Sequence, residues 1–352
     1  MESSLEELRE EINEVNQQLL ELINIRTMLI KQISMIKDEE GIRYFDELRV
    51  QEMLEHLIKA NRGPLPDKFI NDIFNKIFST SLEFMDLKKD KLIVSPGEKK
   101  KFLNIQQIFN LQNDLPIIIA GPCSIENYDY LDKIGSLLCK SKIKFIRGGA
   151  YKPRSSPYDF QGLRIEGLKM IKDVGRKYDL ITVSEVVDTR DVGMIANYVD
   201  VFQIGARNMQ NFELLKEVGR SKHPVILKRG IGATIQEFIF AAEYIALQGN
   251  RKIILCERGI RTFETKTRNT LDIASIPILK KETELPIIVD LSHSLGRKDI
   301  VDSVAKAAIA VGADGLMLEV HPYPELALSD SKQQLNPQEL EKFIKNFELK
   351  IV

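Results

Sequence analysis

Residues 117–126 read IIIAGPCSIE: an apolar run of strand length, the breaker pair Gly121-Pro122, then a thiol, a hydroxyl and a carboxylate. Buried strands of parallel sheets read as short continuous apolar runs, and the chemistry of α/β proteins sits just past their carboxyl ends. Cys123 at that position suits soft metal ligation or nucleophilic attack. If it is a ligand, the remaining ligands belong at the ends of later strands.

Working outward, runs of the same kind occupy 116–123, 144–148, 180–185, 201–205, 225–228, 252–257, 286–291 and 315–320. Helix-like segments such as 235–247 and 300–311 lie between most of them. Eight strands alternating with helices over ~240 residues predict the α/β class and a (β/α)8 TIM barrel. A doubly wound open sheet is the second choice, and no GxGxxG turn supports it.

The active face of such a barrel is built from the carboxyl ends of its strands. Those ends bring Cys123 from the first, Arg147, Lys152 and Arg154 from the second, Glu185 from the third and Arg207 from the fourth. The fifth brings Lys228 and Arg229, the sixth Glu257, Arg258 and Arg261, the seventh Asp290 and His293, the eighth Glu319, His321 and Asp330. Two populations are present. Cations gathered at one mouth repel one another unless an anion sits among them, and the planar arginine fork matches phosphate and carboxylate. Gly148-Gly149 and Gly205-Ala206 add small residues whose backbone N–H groups can approach that anion. The other population, Cys123, His293, Glu319 and Asp330, is a mixed sulfur, nitrogen and oxygen set suited to a divalent transition metal with an open position. His321, two residues past Glu319 on the same strand face, reads as a support behind these ligands. A metal beside cations implies a Lewis acid polarising a carbonyl, next to clamps for phosphorylated, carboxylated substrates.

Upstream the texture differs. Leu5, Leu8, Ile12, Val15, Leu19, Leu22, Leu29, Ile33 and Ile36 keep a three-four spacing without Pro or Gly. That predicts one amphipathic helix of about eight turns, ended by Gly41. Residues 46–61 read as a second helix stopped by Gly63-Pro64, and Pro66-Asp67 open a third. Three helices in ~85 residues cannot close a core alone, so a helical homodimer is expected. The charged stretch 86–101 marks a linker, giving a domain plan of 1–87 (all-α, three helices), 88–113 (linker or extension) and 114–352 (barrel).

Lysine plus arginine number 50 against 51 acids in 352 residues, which argues against nucleic-acid and polybasic membrane partners. No apolar segment approaches the ~18 residues of a membrane span, and the opening MESSLEELREE does not have the pattern of a signal peptide. Three widely spaced cysteines make a disulfide framework unfavourable; Cys139 and Cys256 read as core residues. A cytoplasmic location is expected.

The motifs GPCSIE, RGGAYKPRSSP, IGARN, LKRG, CERGIRT, DLSHSLGRKD and EVHPYPELALSD together resemble the 3-deoxy-D-arabino-heptulosonate 7-phosphate (DAHP) synthases over residues 114–335. That family opens the shikimate pathway by condensing phosphoenolpyruvate with erythrose 4-phosphate. The sister 3-deoxy-octulosonate 8-phosphate synthases carry KANR where this chain has Lys152-Pro153-Arg154, which favours the four-carbon aldehyde. The resemblance implies that Cys123, His293, Glu319 and Asp330 hold one divalent ion, with Mn2+ the first choice and Fe2+, Co2+ or Zn2+ the alternatives. It implies phosphoenolpyruvate at Arg147, Lys152, Gly205, Ala206, Arg207, Lys228 and Arg258, and the erythrose 4-phosphate phosphate at Arg154 and Ser155. In that mechanism Lys152 is the candidate donor to the new alkoxide, and Glu185 the candidate for orienting water.

The first ~87 residues resemble the chorismate mutase domain that some DAHP synthases carry at this end, with Arg9, Arg26, Lys37, Asp46 and Arg49 matching its ligand site. Arg26 and Lys37, eleven residues apart, share a helix face, whereas Arg9 lies roughly 25 Å away along the helix. In the family that first arginine crosses from the partner subunit. Two positions depart from the pattern: Val50 stands where the family has Glu, and Met85 where it has Gln or Glu. A thioether cannot donate to the ether oxygen of chorismate, a loss worth roughly 10²–10³ in rate. The expectation is a mutase-like domain weak or inactive in catalysis that binds chorismate or prephenate as a feedback signal, on a homodimer or homotetramer. The alternatives are a fully bifunctional enzyme and, from another class, a non-catalytic anion-binding scaffold.

Overall fold

The computed structural model describes residues 4–40, 47–86, 92–97, 102–113, 115–153 and 156–348, packed as two units, 1–92 and 93–352. The first unit is α1 (Leu5–Glu40), α2 (Glu47–Ala60) and α3 (Asp67–Asp86). α1 starts at a reciprocal cap: Glu7 N donates to Ser4 Oγ at 3.2 Å and Ser4 N to Glu7 Oε2 at 2.7 Å. It runs 36 residues, ~10 turns rather than eight, because nothing breaks it before Gly41. The stripe seen in the sequence is exposed, with Leu5 at 68 %, Ile12 at 59 %, Leu22 at 62 % and Ile33 at 51 %.

The second unit is a closed, all-parallel barrel: β1 (Ile117–Gly121), β2 (Phe145–Arg147), β3 (Ile181–Glu185), β4 (Val201–Ile204), β5 (Val225–Lys228), β6 (Ile253–Glu257), β7 (Ile287–Asp290) and β8 (Gly315–Glu319), in that order, with β8 paired to β1. Closure excludes the open doubly wound sheet. Helices such as Tyr128–Lys140, Ile165–Tyr178, Phe212–Ser221 and Ile235–Ala246 follow the strands. Cys256 is buried, whereas Cys139 is exposed, because it falls on the solvent face of the helix Tyr128–Lys140 rather than in the core.

The interior is filled by Ile119, Phe145, Val183, Val201, Ile226, Ile254, Ile288 and Met317. Side chains of a strand alternate, so two residues later the chain again points inward, now nearer the carboxyl end. Those positions are Arg147 on β2, Glu185 on β3, Gln203 on β4, Lys228 on β5, Asp290 on β7 and Glu319 on β8. Packing that fills the barrel thus also aims these polar side chains at its mouth. β1 obeys the same count through Gly121 to Cys123. Gly121 has φ +153°, and a Cβ there would stand 1.9 Å from the Arg147 carbonyl oxygen, so only glycine lets β1 lie this close to β2.

Of the segment 88–113, read from sequence as a linker or extension, residues 93–113 fall in the barrel unit. Ile93 N and Val94 N donate to the Glu243 carboxylate at 2.9 and 3.1 Å, and Gly97 N and Phe102 N to Glu284 at 3.1 and 3.3 Å. α4 (Ile105–Phe109) then inserts Ile105 into the core and sets Phe109 edge-on to Phe145 at 4.8 Å. No described helix is long and apolar enough to cross a membrane.

Candidate active site

Cys123, His293, Glu319 and Asp330 each offer one donor atom, and the four atoms lie within 4.8 Å of one another. Cys123 Sγ is 3.3 Å from Asp330 Oδ2; His293 Nε2 is 3.4 Å from Glu319 Oε1 and 3.7 Å from Asp330 Oδ2. Donors bonded to one ion at ~2.0–2.3 Å stand about 3.3–4.5 Å apart, so this set fits a single divalent metal with little movement. The histidine is aimed by Asp290. That carboxylate ends β7, caps the short helix Leu291–Leu295 by accepting from His293 N at 2.9 Å, and accepts again from His293 Nδ1 at 2.8 Å. Burial alone would raise Asp290, yet His293 and Lys228 outweigh it and hold the acid well below its usual range, ionised. An ionised carboxylate only accepts, so Nδ1 carries the proton and Nε2 turns its lone pair to the cluster.

The protonation states follow from burial and neighbours. Burial, reinforced by Glu319, pushes the Cys123 thiol up to about 12. Burial lowers His293 despite Asp290 and Glu319 nearby, so the imidazole is neutral at pH 7. For Asp330, burial is overcome by Arg268 and His293, which hold the acid at about 2.

Beside the cluster lies a cavity of about 170 Å³ lined by Arg147, Lys152, Arg207, Lys228, Arg258, Arg261 and Arg268, with Glu185 and Asp330 as its carboxylates. Seven cations against two acids give the cavity a lining whose charge favours anions. Arg147 is buried; its Nη1 donates to Glu319 Oε1 at 2.7 Å and to the Pro122 carbonyl at 3.1 Å. Its Nε and the Gln203 Oε1 are buried polar atoms with no hydrogen-bond partner among the described residues, the mark of a site shaped for a ligand. Lys152 Nζ reaches Cys123 Sγ at 3.2 Å and the Cys123 carbonyl at 3.0 Å. Lys228 is paired with Asp290. Arg258 donates to the carbonyls of Gly259 and His293, and burial lowers its pKa although Asp290 and Glu257 oppose the shift.

Gly205 and Ala206 line the same cavity, and a Cβ on Gly205 would meet Glu185 Oε1 at 2.1 Å. Arg154 and Ser155 lie outside the described residues; Pro153 before them lines the cavity. Arg229 does not take part, since Glu257 at 2.9 Å and Asp272 at 2.8 Å claim its guanidinium away from the cavity. His321 does not support the ligands: its Nδ1 accepts from Tyr323 N at 3.1 Å and its Nε2 faces Glu126 at 3.4 Å. Arg268, Asn269 and Gln333 escaped the sequence reading. Arg268 and Asn269 stand in the long connection after β6 and Gln333 in a one-turn 3-10 helix after β8, where no periodic pattern marks them.

In the helical unit, Arg26 Nη1 donates to Ser81 Oγ at 2.6 Å, and the guanidinium lies 4.9 Å over the Phe78 ring. Arg49 pairs with Glu52 at 3.1 Å, and Arg9 is exposed near the start of α1. Val50 is half-buried on α2. Asp46 and the side chains of Lys37 and Met85 lie outside the described residues.

Two families match the chain: the DAHP synthetase I family over residues 93–349 and chorismate mutase type II over residues 8–86. A phospho-2-dehydro-3-deoxyheptonate aldolase of Thermotoga maritima is 56 % identical over 219 residues, covering 62 % of this chain and 65 % of that relative. A 2-dehydro-3-deoxyphosphooctonate aldolase of Syntrophotalea carbinolica is 30 % identical over 246 residues, covering 65 % of this chain and 88 % of the relative. The crystal structure of a Thermotoga maritima DAHP synthase gives a TM-score of 0.69 at 47 % identity over 74 % of this chain and 77 % of that one.

Proposed function

This chain belongs to the DAHP synthetase I family, and from that premise we propose that it condenses phosphoenolpyruvate with erythrose 4-phosphate to give DAHP and phosphate. The observation that carries the reading is the cavity with seven cations set directly against a four-donor cluster able to hold a metal ion. The identity of 56 % to a deoxyheptonate aldolase, against 30 % to a deoxyphosphooctonate aldolase, supports erythrose 4-phosphate over a five-carbon aldehyde.

Cys123, His293, Glu319 and Asp330 would hold the divalent ion, Mn2+ by preference, which when bound supplies Lewis-acid polarisation of the aldehyde. Arg147, Arg207, Lys228 and Arg258 bind the carboxylate and phosphate of phosphoenolpyruvate, with the Gly205-Ala206 backbone alongside. Arg154 and Ser155 take the second phosphate. Burial pulls Lys152 down, but Cys123 and Glu185 outweigh it and hold it above the ordinary lysine value, so Lys152 Nζ is charged and able to donate to the new alkoxide oxygen. Glu185, buried at the end of β3, orients the water that adds to the former enol carbon.

The helical unit is read as a sensor of chorismate or prephenate that is weak or inactive as a mutase. Arg26, Lys37, Asp46 and Arg49 make the ligand site, with Arg9 from a partner, and Val50 and Met85 lack the polar groups that the rearrangement needs. The exposed stripe of α1 supports a homodimer, on its own or within a homotetramer. Phosphate release from the two substrates, with and without chelator and again with prephenate, tests the proposal. Activity with arabinose 5-phosphate instead of erythrose 4-phosphate would overturn the substrate assignment. Chorismate consumption at the rate of an intact mutase would favour the bifunctional alternative.

A further inference from the structure

Two side chains that no strand end supplies meet at the edge of the donor cluster, one of them, Arg268, also lining the cavity. Arg268, in the loop after β6, donates through Nη1 to Gln333 Oε1 at 2.7 Å and stands 3.1 Å from Asp330 Oδ1. Gln333, buried just past Asp330, donates through Nε2 to Glu319 Oε2 at 2.6 Å. The orientation of that amide is dictated by its neighbours: a guanidinium only donates and a carboxylate only accepts, so oxygen faces Arg268 and nitrogen faces Glu319. Each of the two acids therefore has one oxygen held by this pair. The other oxygens, Glu319 Oε1 and Asp330 Oδ2, are the atoms facing His293 Nε2. Asp330 sits at φ 50°, a left-handed conformation that a non-glycine residue keeps only when its surroundings hold it.

We propose that Arg268 and Gln333 form a brace that selects one oxygen from Glu319 and one from Asp330, presenting both acids to the ion as single-oxygen ligands. The inference rests on the metal reading of the cluster. A carboxylate free at both oxygens can rotate and embrace an ion through two atoms; tying one oxygen to a donor removes that option and fixes the direction of the other. Arg268 and Gln333 are positioning residues here, acting through the acids they touch. Without the brace, the open place that a substrate oxygen would use is filled by the acids themselves.

Co2+ titration of the metal-free full-length protein tests this, followed by the near-ultraviolet thiolate band and by the visible ligand-field band. Gln333→Met keeps the volume and removes both bonds. Its apparent Kd for Co2+ is expected to rise 10–100-fold, and its visible band to weaken as the coordination number grows. Arg268→Lys keeps the charge but not the two-way contact, and should fall between Gln333→Met and wild type. The metal-free thermal midpoint is recorded for each variant; if Gln333→Met does not fold, Arg268→Lys decides the question alone. A Kd within twofold of wild type, with an unchanged visible band, overturns the brace. A wild-type protein that takes up no Co2+, or one whose thiolate band survives Cys123→Ala, overturns the underlying metal reading instead.

Discussion

Metal uptake should release one proton, and that proton should come from Cys123. With the thiol raised to about 12, roughly one molecule in 10⁵ carries a thiolate at pH 7, and making it costs about 7 kcal/mol of the binding energy. The other three ligands need no such change: burial keeps His293 neutral, and Glu319 and Asp330 are held below their ordinary values, so both are ionised. The sign follows. Below about pH 12 each unit of pH multiplies the thiolate fraction by ten, so apparent affinity rises about 100-fold from pH 6.5 to 8.5. Calorimetric titration with Mn2+ in buffers of contrasting ionisation enthalpy counts the protons directly. One proton per ion is expected for the wild type and none for Cys123→Ala. A wild-type count of zero means that Lys152, 3.2 Å from the sulfur, already stabilises a thiolate, and refutes the reasoning. A count of two refutes the neutral histidine.

Gly205→Ala should cost about 10²-fold in synthase kcat: the new methyl would lie 2.1 Å from Glu185 Oε1, forcing the carboxylate aside by more than ~1 Å. Steady-state kinetics check this, and a kcat within threefold of wild type would remove Glu185 from the mechanism. Asp290→Asn leaves buried Lys228 without its counter-charge and loosens His293. The expected destabilisation is roughly 3–5 kcal/mol, or about 10 °C in the thermal midpoint, with metal affinity lower by 10–100-fold. An unmoved midpoint in differential scanning calorimetry would contradict the pairing.

The barrel and most of its mouth were legible because one rule governs both. Inward residues recur every second position, so the strand that buries Phe145 must aim Arg147 into the site, and Val183 commits Glu185 in the same way. Cys123 and His293 lie beyond the strands, yet a breaker pair and a helix cap fix them within three residues of a strand end. Arg229 shows the limit of counting. It follows the inward Lys228 by one residue, so alternation turns it out of the cavity, toward Glu257 and Asp272. Arg268 and Gln333 obey no period at all; only the folded loops bring them together. In α1 the pattern named the apolar face but not what covers it, because periodicity carries no information about a partner.

The cluster and the anion pocket cannot be treated as neighbours with separate duties. Glu319 Oε1 lies between His293 and Arg147, and Cys123 Sγ between Asp330 and Lys152, so two cations of the pocket touch two donors of the cluster. In a low-dielectric site such contacts are strong, and anything that draws Arg147 toward an incoming phosphate or carboxylate frees Glu319 Oε1 for the ion. On the proposed reading, substrate and metal would relieve each other's competition for the same oxygen. The buried position of Arg147 is costly for a guanidinium by itself, and the Glu319 carboxylate at 2.7 Å offsets that cost while the side chain still lines the cavity.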